Sequence, residues 1–304
     1  MTTQSFPKSV SIREVGPRDG LQNEAKFIPT DDKIQWINHL SNTGLNYIEV
    51  TSFVNPTWIP ALSDAEYVAK QIKKNPDITY AALVPNIKGL SRALESGIDE
   101  VAVFLSASET HNKKNINKTI SETENVLSEV VKESISNKKT VRGYISTVFG
   151  CPYEGKIEID QVIRLADSLF EMGINEISLG DTIGIANPSQ VKLVLEQLLN
   201  RYPVESIAMH FHNTRGTALA NVLASLEMGI SKFDSSLGGL GGCPYAPGAS
   251  GNLATDDLNY MLTTMGIETN IESDKLNTAA MYIQSKLQKP LDSYSVKYYE
   301  SQLK

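Results

Sequence analysis

Apolar residues recur along this chain with two alternating periods. Short β-branched runs at Ser11–Val15, Tyr47–Thr51, Thr79–Val84, Glu100–Leu105, Val141–Val148, Glu176–Leu179, Ile207–Phe211 and Lys232–Ser235 predict strands. Between them the spacing changes to that of amphipathic helices. Thr30 caps a helix carrying Ile34, Ile37 and Leu40, which Gly44 ends, and Ser63 starts one with Val68 and Ile72. Ser121 and Glu124 form a capping box ahead of Val126, Leu127, Val130 and Val131. Asn187 caps a helix with Pro188 at its first position, and a helix from about Thr217 carries Val222 and Leu226 to Gly229.

Strands alternating with helices imply a parallel sheet. Eight such units, complete by Ser235, fit a closed (β/α)8 TIM barrel of about 250 residues better than an open doubly wound sheet. No G-x-G-x-x-G follows a strand and opens a helix, so a dinucleotide-binding fold has no support. Residues 237–304 are glycine-rich and then helical, with Leu258, Met261 and Leu262, then Leu276, Ala280, Ile283 and Leu287. They predict the last loop and helix plus a C-terminal helical extension over one barrel mouth. The expectation is a single catalytic domain over residues 1–304, with the barrel at about 10–236.

Composition narrows the function. The 304 residues are 41% hydrophobic and 21% charged, as in a soluble globular protein, and no apolar run approaches the roughly 18 residues of a membrane span. The start, MTTQSFPKSVSIREV, shows no presequence pattern. A net charge of −7 argues against nucleic acid as a partner. It leaves room for a local basic patch, such as Lys113, Lys114 and Lys118 around Asn115 and Asn117, although a solvated loop is the commoner explanation. Two cysteines, Cys151 and Cys243, read as reduced thiols of a cytoplasmic protein. Both sit in Gly-Cys-Pro-Tyr, a loop context expected to expose the thiol.

In TIM barrels the active site lies at the C-terminal strand ends. Those ends carry Arg18-Asp19, then Glu49 with Thr51-Ser52, then Ser178 with Asp181-Thr182, then His210 and His212. Of four histidines in the chain, two are at i and i+2, so they share one strand face while Ile207, Met209 and Phe211 take the other. Closure makes the seventh, eighth and first strands neighbours, so Asp19, His210 and His212 can share one site. One carboxylate, two imidazoles and the Asn252 amide oxygen would suit an octahedral divalent ion, Mg²⁺ or Mn²⁺. A polar strand face with two hydrogen-bonded histidines is the other reading. Arg18 would face developing negative charge or merely pair with Asp19. The flexible Gly238–Gly242 run can close over a site, and Cys243 at its end is either a proton donor or a buried inert thiol.

At these residues the chain closely resembles the 3-hydroxy-3-methylglutaryl-CoA lyase family. The resemblance rests on Val15–Asn23 (VGPRDGLQN), Glu49–Phe53 (EVTSF), Arg142-Gly143-Tyr144, Gly150–Lys156 (GCPYEGK), Ser178–Gly184 (SLGDTIG) and Gly239–Ala254 (GLGGCPYAPGASGNLA), and extends from about residue 10 to 290. It implies a TIM barrel that cleaves 3-hydroxy-3-methylglutaryl-CoA to acetyl-CoA and acetoacetate. Carried over by position, Asp19, His210, His212 and Asn252 would bind the metal, and Arg18 would stabilise the enolate of the departing acetyl-CoA. Cys243 would be the catalytic thiol, with Glu49 and Asp181 as polar supports. The general base, Asp19 or His210, stays open. The chain departs from the pattern at Asn213-Thr214-Arg215, where lyases often have Asp and an aromatic residue. The expected partners are an acyl-CoA substrate and a second copy of the chain in a homodimer, with no nucleic acid and no membrane. Two other functions share features of the sequence: a Claisen-type synthase condensing acetyl-CoA with a 2-oxo acid, and a non-catalytic barrel that binds an acyl-CoA.

Overall fold

The computed structural model describes residues 6–241 and 251–303. Its eight strands close into one barrel in sequence order: β1 (Ser11–Glu14), β2 (Tyr47–Ser52), β3 (Thr79–Leu83), β4 (Glu100–Ser106), β5 (Thr140–Ser146), β6 (Glu176–Asp181), β7 (Ile207–Phe211) and β8 (Lys232–Ser235). Each strand pairs in parallel with the next, and β8 returns to β1 with Arg13 opposite Asp234. The helices are α1 (Thr30–Leu40), α2 (Ala65–Gln71), α3 (Ile87–Glu95), α4 (Glu109–Ile116), α5 (Ile120–Ser136), α6 (Ile159–Glu171), α7 (Pro188–Leu199), α8 (Ala218–Glu227), α9 (Thr255–Thr264), α10 (Ser273–Leu287) and α11 (Tyr294–Gln302). All eight strands occur where the β-branched runs predict them, and no described helix is long and apolar enough to cross a membrane.

The apolar core is the ring between strands and helices. Trp36, Ile37 and Leu40 of α1, Leu165 and Leu169 of α6 and Leu195 and Leu198 of α7 are fully buried with Ile48, Val103, Ile177, Met209 and Phe211 of the strands. Each such side chain contributes about 1.5–3 kcal/mol by leaving water. The inside of the barrel differs. Apart from a small cluster of Leu83, Ala102 and Tyr144, side chains cross it through charge. Arg13 of β1 reaches Glu176 of β6 (2.8 Å), Arg142 of β5 reaches Asp234 of β8 (2.6 Å), and Tyr144 of β5 donates to Glu49 of β2 (2.7 Å). Alternation therefore sends apolar residues outward to the helices and polar ones inward.

Local signals held in part. Asn187 caps α7 as expected, accepting from the Gln190 N–H at 3.0 Å. The capping box before α5 is formed by Thr119 and Glu122 and not by Ser121 and Glu124. Both pairs fit the pattern. The chain turns through a left-handed Asn117 (φ 58°), and the helix starts two residues earlier than the Ser121–Glu124 pattern predicts. Thr30 is the first residue of α1 and donates to Asp64 instead of capping.

After β8, α9 takes the position of the eighth barrel helix. Residues 268–272 then pass the start of β1, where Val10 N–H donates to Glu268 O and Glu272 N–H to Thr43 O. Gly44 (φ +93°) is required there, because a Cβ would lie 1.9 Å from Asn270 O. Helix α10 runs back along α1, and the following segment reaches the site end of the barrel, where Asp292 and Ser293 N–H both donate to Gly238 O.

Candidate active site

The chain leaves β1 through a five-residue π-helical turn, Gly16–Gly20, in which Gly20 N–H reaches back to Val15 O. Such turns are rare and often occur at functional sites. This one places Arg18 and Asp19, both buried, at the barrel mouth. His210 and His212 reach the same place from β7, with ring centroids 5.3 Å apart. Asn252 arrives from farther along the chain. Beyond the glycine-rich run, residues 251–255 fold back between β7 and β8: Asn213 N–H donates to Gly251 O, Leu253 N–H to Phe211 O and Ser236 N–H to Leu253 O. That return sets Asn252 opposite His212 in an antiparallel bridge.

One ligand atom each of Asp19, His210 and His212 lies within 4.8 Å of the others, and all three residues are buried. Asn252 Nδ2 donates to Asp19 Oδ2 (2.8 Å) and Leu240 O (3.0 Å), leaving Asn252 Oδ1 buried without a protein partner. His212 Nδ1 is similarly unpartnered. Buried polar atoms are ordinarily satisfied. A mixed oxygen–nitrogen set with orphaned acceptors therefore fits a hard divalent cation. Burial alone would raise the Asp19 carboxyl, but the Arg18 charge and the two histidines outweigh it and hold it below the usual range. Burial and then His210 push His212 down to about 4, so at neutral pH its ring is uncharged and carries a free lone pair. Gly241 (φ +105°) packs directly on this set: a Cβ there would lie 2.6 Å from Asn252 Nδ2.

Arg18 forks between Asp19 Oδ1 (2.5 Å) and Glu49 Oε2 (3.0 Å), and its guanidinium lies 5.4 Å from the Tyr144 ring centre. Glu49 is fully buried, and Tyr144 also donates to its Oε2. The tyrosine hydroxyl in turn accepts from Arg142 (2.8 Å), and Arg142 donates to Asp234 Oδ1. Asp234 Oδ2 faces His210 Nδ1 at 3.2 Å. A polar circuit thus runs Asp19–Arg18–Glu49–Tyr144–Arg142–Asp234–His210 around the barrel interior, with both ends in the carboxylate–histidine set.

Asp181 stands apart from that circuit. Its carboxylate accepts from the Ile185 (2.9 Å) and Ala186 (3.1 Å) N–H groups and shapes the loop after β6, and burial pushes it up to about 6. Cys243 lies outside the described residues. Cys151 corrects the expectation of an exposed thiol. It is 4% exposed and its Sγ donates to Ser108 Oγ at 3.0 Å, because the Gly-Cys-Pro-Tyr turn folds inward against α4. Sequence reasoning missed Arg142, Tyr144 and Asp234 as members of the site. The signal for Asp234 is an acid in an eighth strand whose register sets it directly opposite His210.

The set opens into a cavity of about 920 Å³. Its lining includes Phe27 and Trp58 and also Lys114, Asn115 and Asn117, at the end of α4 and just after it. Lys113 is instead paired with Glu109.

A TIM barrel with this buried carboxylate–imidazole set beside an arginine is a barrel enzyme of the kind that works with a divalent metal ion. The HMGL-like family model matches residues 9–283. Hydroxymethylglutaryl-CoA lyase YngG of Bacillus subtilis (strain 168) is 60% identical over 97% of this chain and 99% of its own length. Among solved structures, the crystal structure of the Bacillus subtilis HMG-CoA lyase superposes with a TM-score of 0.96 at 60% identity, covering 97% of this chain and 99% of that one. An HMG-CoA lyase from Acinetobacter baumannii, solved in complex with coenzyme A and 3-methylmalate, gives 0.92 at 44% identity over 98% and 96%. The chain belongs to the HMG-CoA lyase family.

Proposed function

We propose that this chain cleaves 3-hydroxy-3-methylglutaryl-CoA to acetyl-CoA and acetoacetate, with Asp19, His210, His212 and Asn252 holding Mg²⁺ or Mn²⁺. The observation that carries the reading is the buried Asp19–His210–His212 set, with the free Asn252 oxygen beside it and Arg18 against Asp19. A divalent ion held there supplies a Lewis acid that offsets negative charge on substrate oxygens.

The chain's own residues supply the rest. Asp19 or His210 takes the proton of the tertiary hydroxyl. That oxygen becomes the ketone of acetoacetate as the adjacent carbon–carbon bond breaks, and the bonding pair passes to the thioester as an enolate. Arg18 presents fixed donors to the thioester oxygen as it becomes anionic. Glu49 and Tyr144 hold that guanidinium, and Asp181 keeps the β6 loop in shape. Cys243 delivers a proton to the enolate carbon, giving acetyl-CoA. Lys114, Asn115 and Asn117 on the cavity wall suit the polar and anionic parts of the coenzyme. A cytoplasmic homodimer completes the proposal, and light scattering of the purified protein checks the dimer.

The test is a substrate panel. Purified protein with Mg²⁺ is given 3-hydroxy-3-methylglutaryl-CoA, and separately acetyl-CoA with 2-oxo acids. Release of acetoacetate from the first alone supports the lyase. Condensation products from the second, without cleavage of the first, would make the chain a synthase. Binding of both without turnover would make it a non-catalytic barrel.

A further inference from the structure

The His210 ring has two nitrogens with different neighbours. Nε2 lies 3.9 Å from Asp19 Oδ2, on the side of the carboxylate–histidine set. Nδ1 lies 3.2 Å from Asp234 Oδ2, on the far side. A neutral imidazole presents a lone pair at one nitrogen only, so the proton must sit on the other. His212 has no such partner at its Nδ1.

Asp234 is fully buried, and its surroundings leave it one role. Its Oδ1 accepts from Arg142 (2.6 Å) and its Oδ2 from the Ser178 hydroxyl (2.7 Å). Arg142 cannot turn away: its Nε donates to Glu176 (2.7 Å), one terminal nitrogen to Tyr144 and the other to Asp234, with 1% of its side chain exposed. Glu176 is itself held by Arg13 and Lys232. A carboxylate pinned this way only accepts hydrogen bonds, so the proton on the line to His210 belongs to the histidine.

We propose that Asp234, locked by Arg142, is the positioning residue that fixes the tautomer of His210, with hydrogen on Nδ1 and the lone pair of Nε2 aimed at the metal. This rests on the metal reading given above, and of the two bases left open there it selects Asp19, because both His210 nitrogens are then occupied. Carboxylates that orient a ligand histidine typically change metal affinity by about 10–100-fold when removed.

Asp234→Asn inverts the preference by geometry. The Arg142 N–H can donate only to an acceptor, so the new amide oxygen takes the Oδ1 place and its NH2 group takes the Oδ2 place. That NH2 then donates to His210 Nδ1, the ring proton moves to Nε2, and the lone pair leaves the metal side. Ser178 turns its hydroxyl to accept. Asp234→Ala removes the partner without inverting it and leaves a mixture of tautomers.

The first experiment needs no variant. The wild-type protein, labelled with ¹⁵N-histidine and stripped of metal, is examined by NMR at alkaline pH, with His210 signals assigned by His210→Gln. The expected spectrum has a protonated Nδ1 and an unprotonated Nε2. The second compares Mn²⁺ binding by electron paramagnetic resonance. Asp234→Asn should bind about 10–100-fold more weakly, with its His210 proton on Nε2. A wild-type His210 carrying its proton on Nε2 would overturn the proposal, as would an Asp234→Asn protein that binds Mn²⁺ within twofold of wild type. Weaker binding by Asp234→Asn with the wild-type tautomer would overturn it too, since Asp234 would then act through packing alone. Failure of wild type itself to bind Mn²⁺ would count against the metal reading, while its NMR spectrum would still decide the tautomer.

Discussion

Arg18→Lys separates charge from geometry at the centre of the site. The guanidinium spans Asp19 and Glu49 with two separate nitrogens, at 2.5 Å and 3.0 Å, and is almost wholly shielded from water. A lysine keeps the charge but has one nitrogen on a flexible stem and cannot hold both carboxylates while donating to a third oxygen. The loss is therefore at least one charge-assisted hydrogen bond, about 1.5–3 kcal/mol. If the lost donor is the one that meets the developing enolate, turnover falls about 10²–10³-fold, as for other removed oxyanion donors. The fall should be in kcat, with KM changed by less than about threefold, because the contact strengthens only in the transition state. Steady-state acetoacetate release at saturating Mn²⁺ measures both constants, and a thermal melt checks that the fold survives. A raised KM with kcat intact would refute the reasoning, making Arg18 a substrate-binding residue whose partners are merely structural.

Other outcomes follow from the same geometry. His212→Ala should weaken Mn²⁺ binding by about 100-fold or more while the circular dichroism spectrum stays native; unchanged affinity would remove His212 from the ligand set. Cys243→Ser should keep metal and substrate binding and lose most turnover, and alkylation should inactivate the enzyme with protection by substrate. Cys151→Ser should be near neutral for turnover, because Cys151 is buried against Ser108 away from the carboxylate–histidine set; the reverse pattern would move the chemistry to the Cys151 loop. Glu14 is pushed from 4.5 up to about 7, chiefly by burial, so the folded state holds its proton more tightly than the unfolded state. Its stabilising contribution, at most about 3 kcal/mol, is full below pH 4.5 and lost as pH rises through 7. Asp256, also pushed up to about 7, gives a second loss over that range, so Glu14→Gln should reduce the slope of urea stability against pH by about half. An unchanged slope would show Glu14 ionised in the native protein.

The strands were legible because each is a β-branched run closed by a turn, and the outward face of each is set by packing against helices. His210 and His212 were legible as a pair because period two puts them on one face, and Met209 and Phe211 are indeed in the outer core. Asn252 was not readable from periodicity: it enters only because residues 251–255 fold back beside β7, a tertiary event that the family resemblance encodes. The inner circuit was hidden for a different reason. Arg142, Glu176 and Asp234 sit at polar positions of alternating strands, and alternation alone cannot tell a solvated face from a barrel interior. The capping-box error at Ser121 has the same origin, since two overlapping Ser/Thr-x-x-Glu patterns differ only in where the preceding turn at Asn117 releases the chain.

The most direct measurement is cleavage with and without metal. Chelator-stripped protein is incubated with 3-hydroxy-3-methylglutaryl-CoA, with and without added Mg²⁺ or Mn²⁺, and the products are quantified by mass spectrometry. The account predicts acetyl-CoA and acetoacetate in equal amounts, formed only when the ion is restored. Cleavage undiminished in the presence of chelator, or none after the ion is restored, would contradict it.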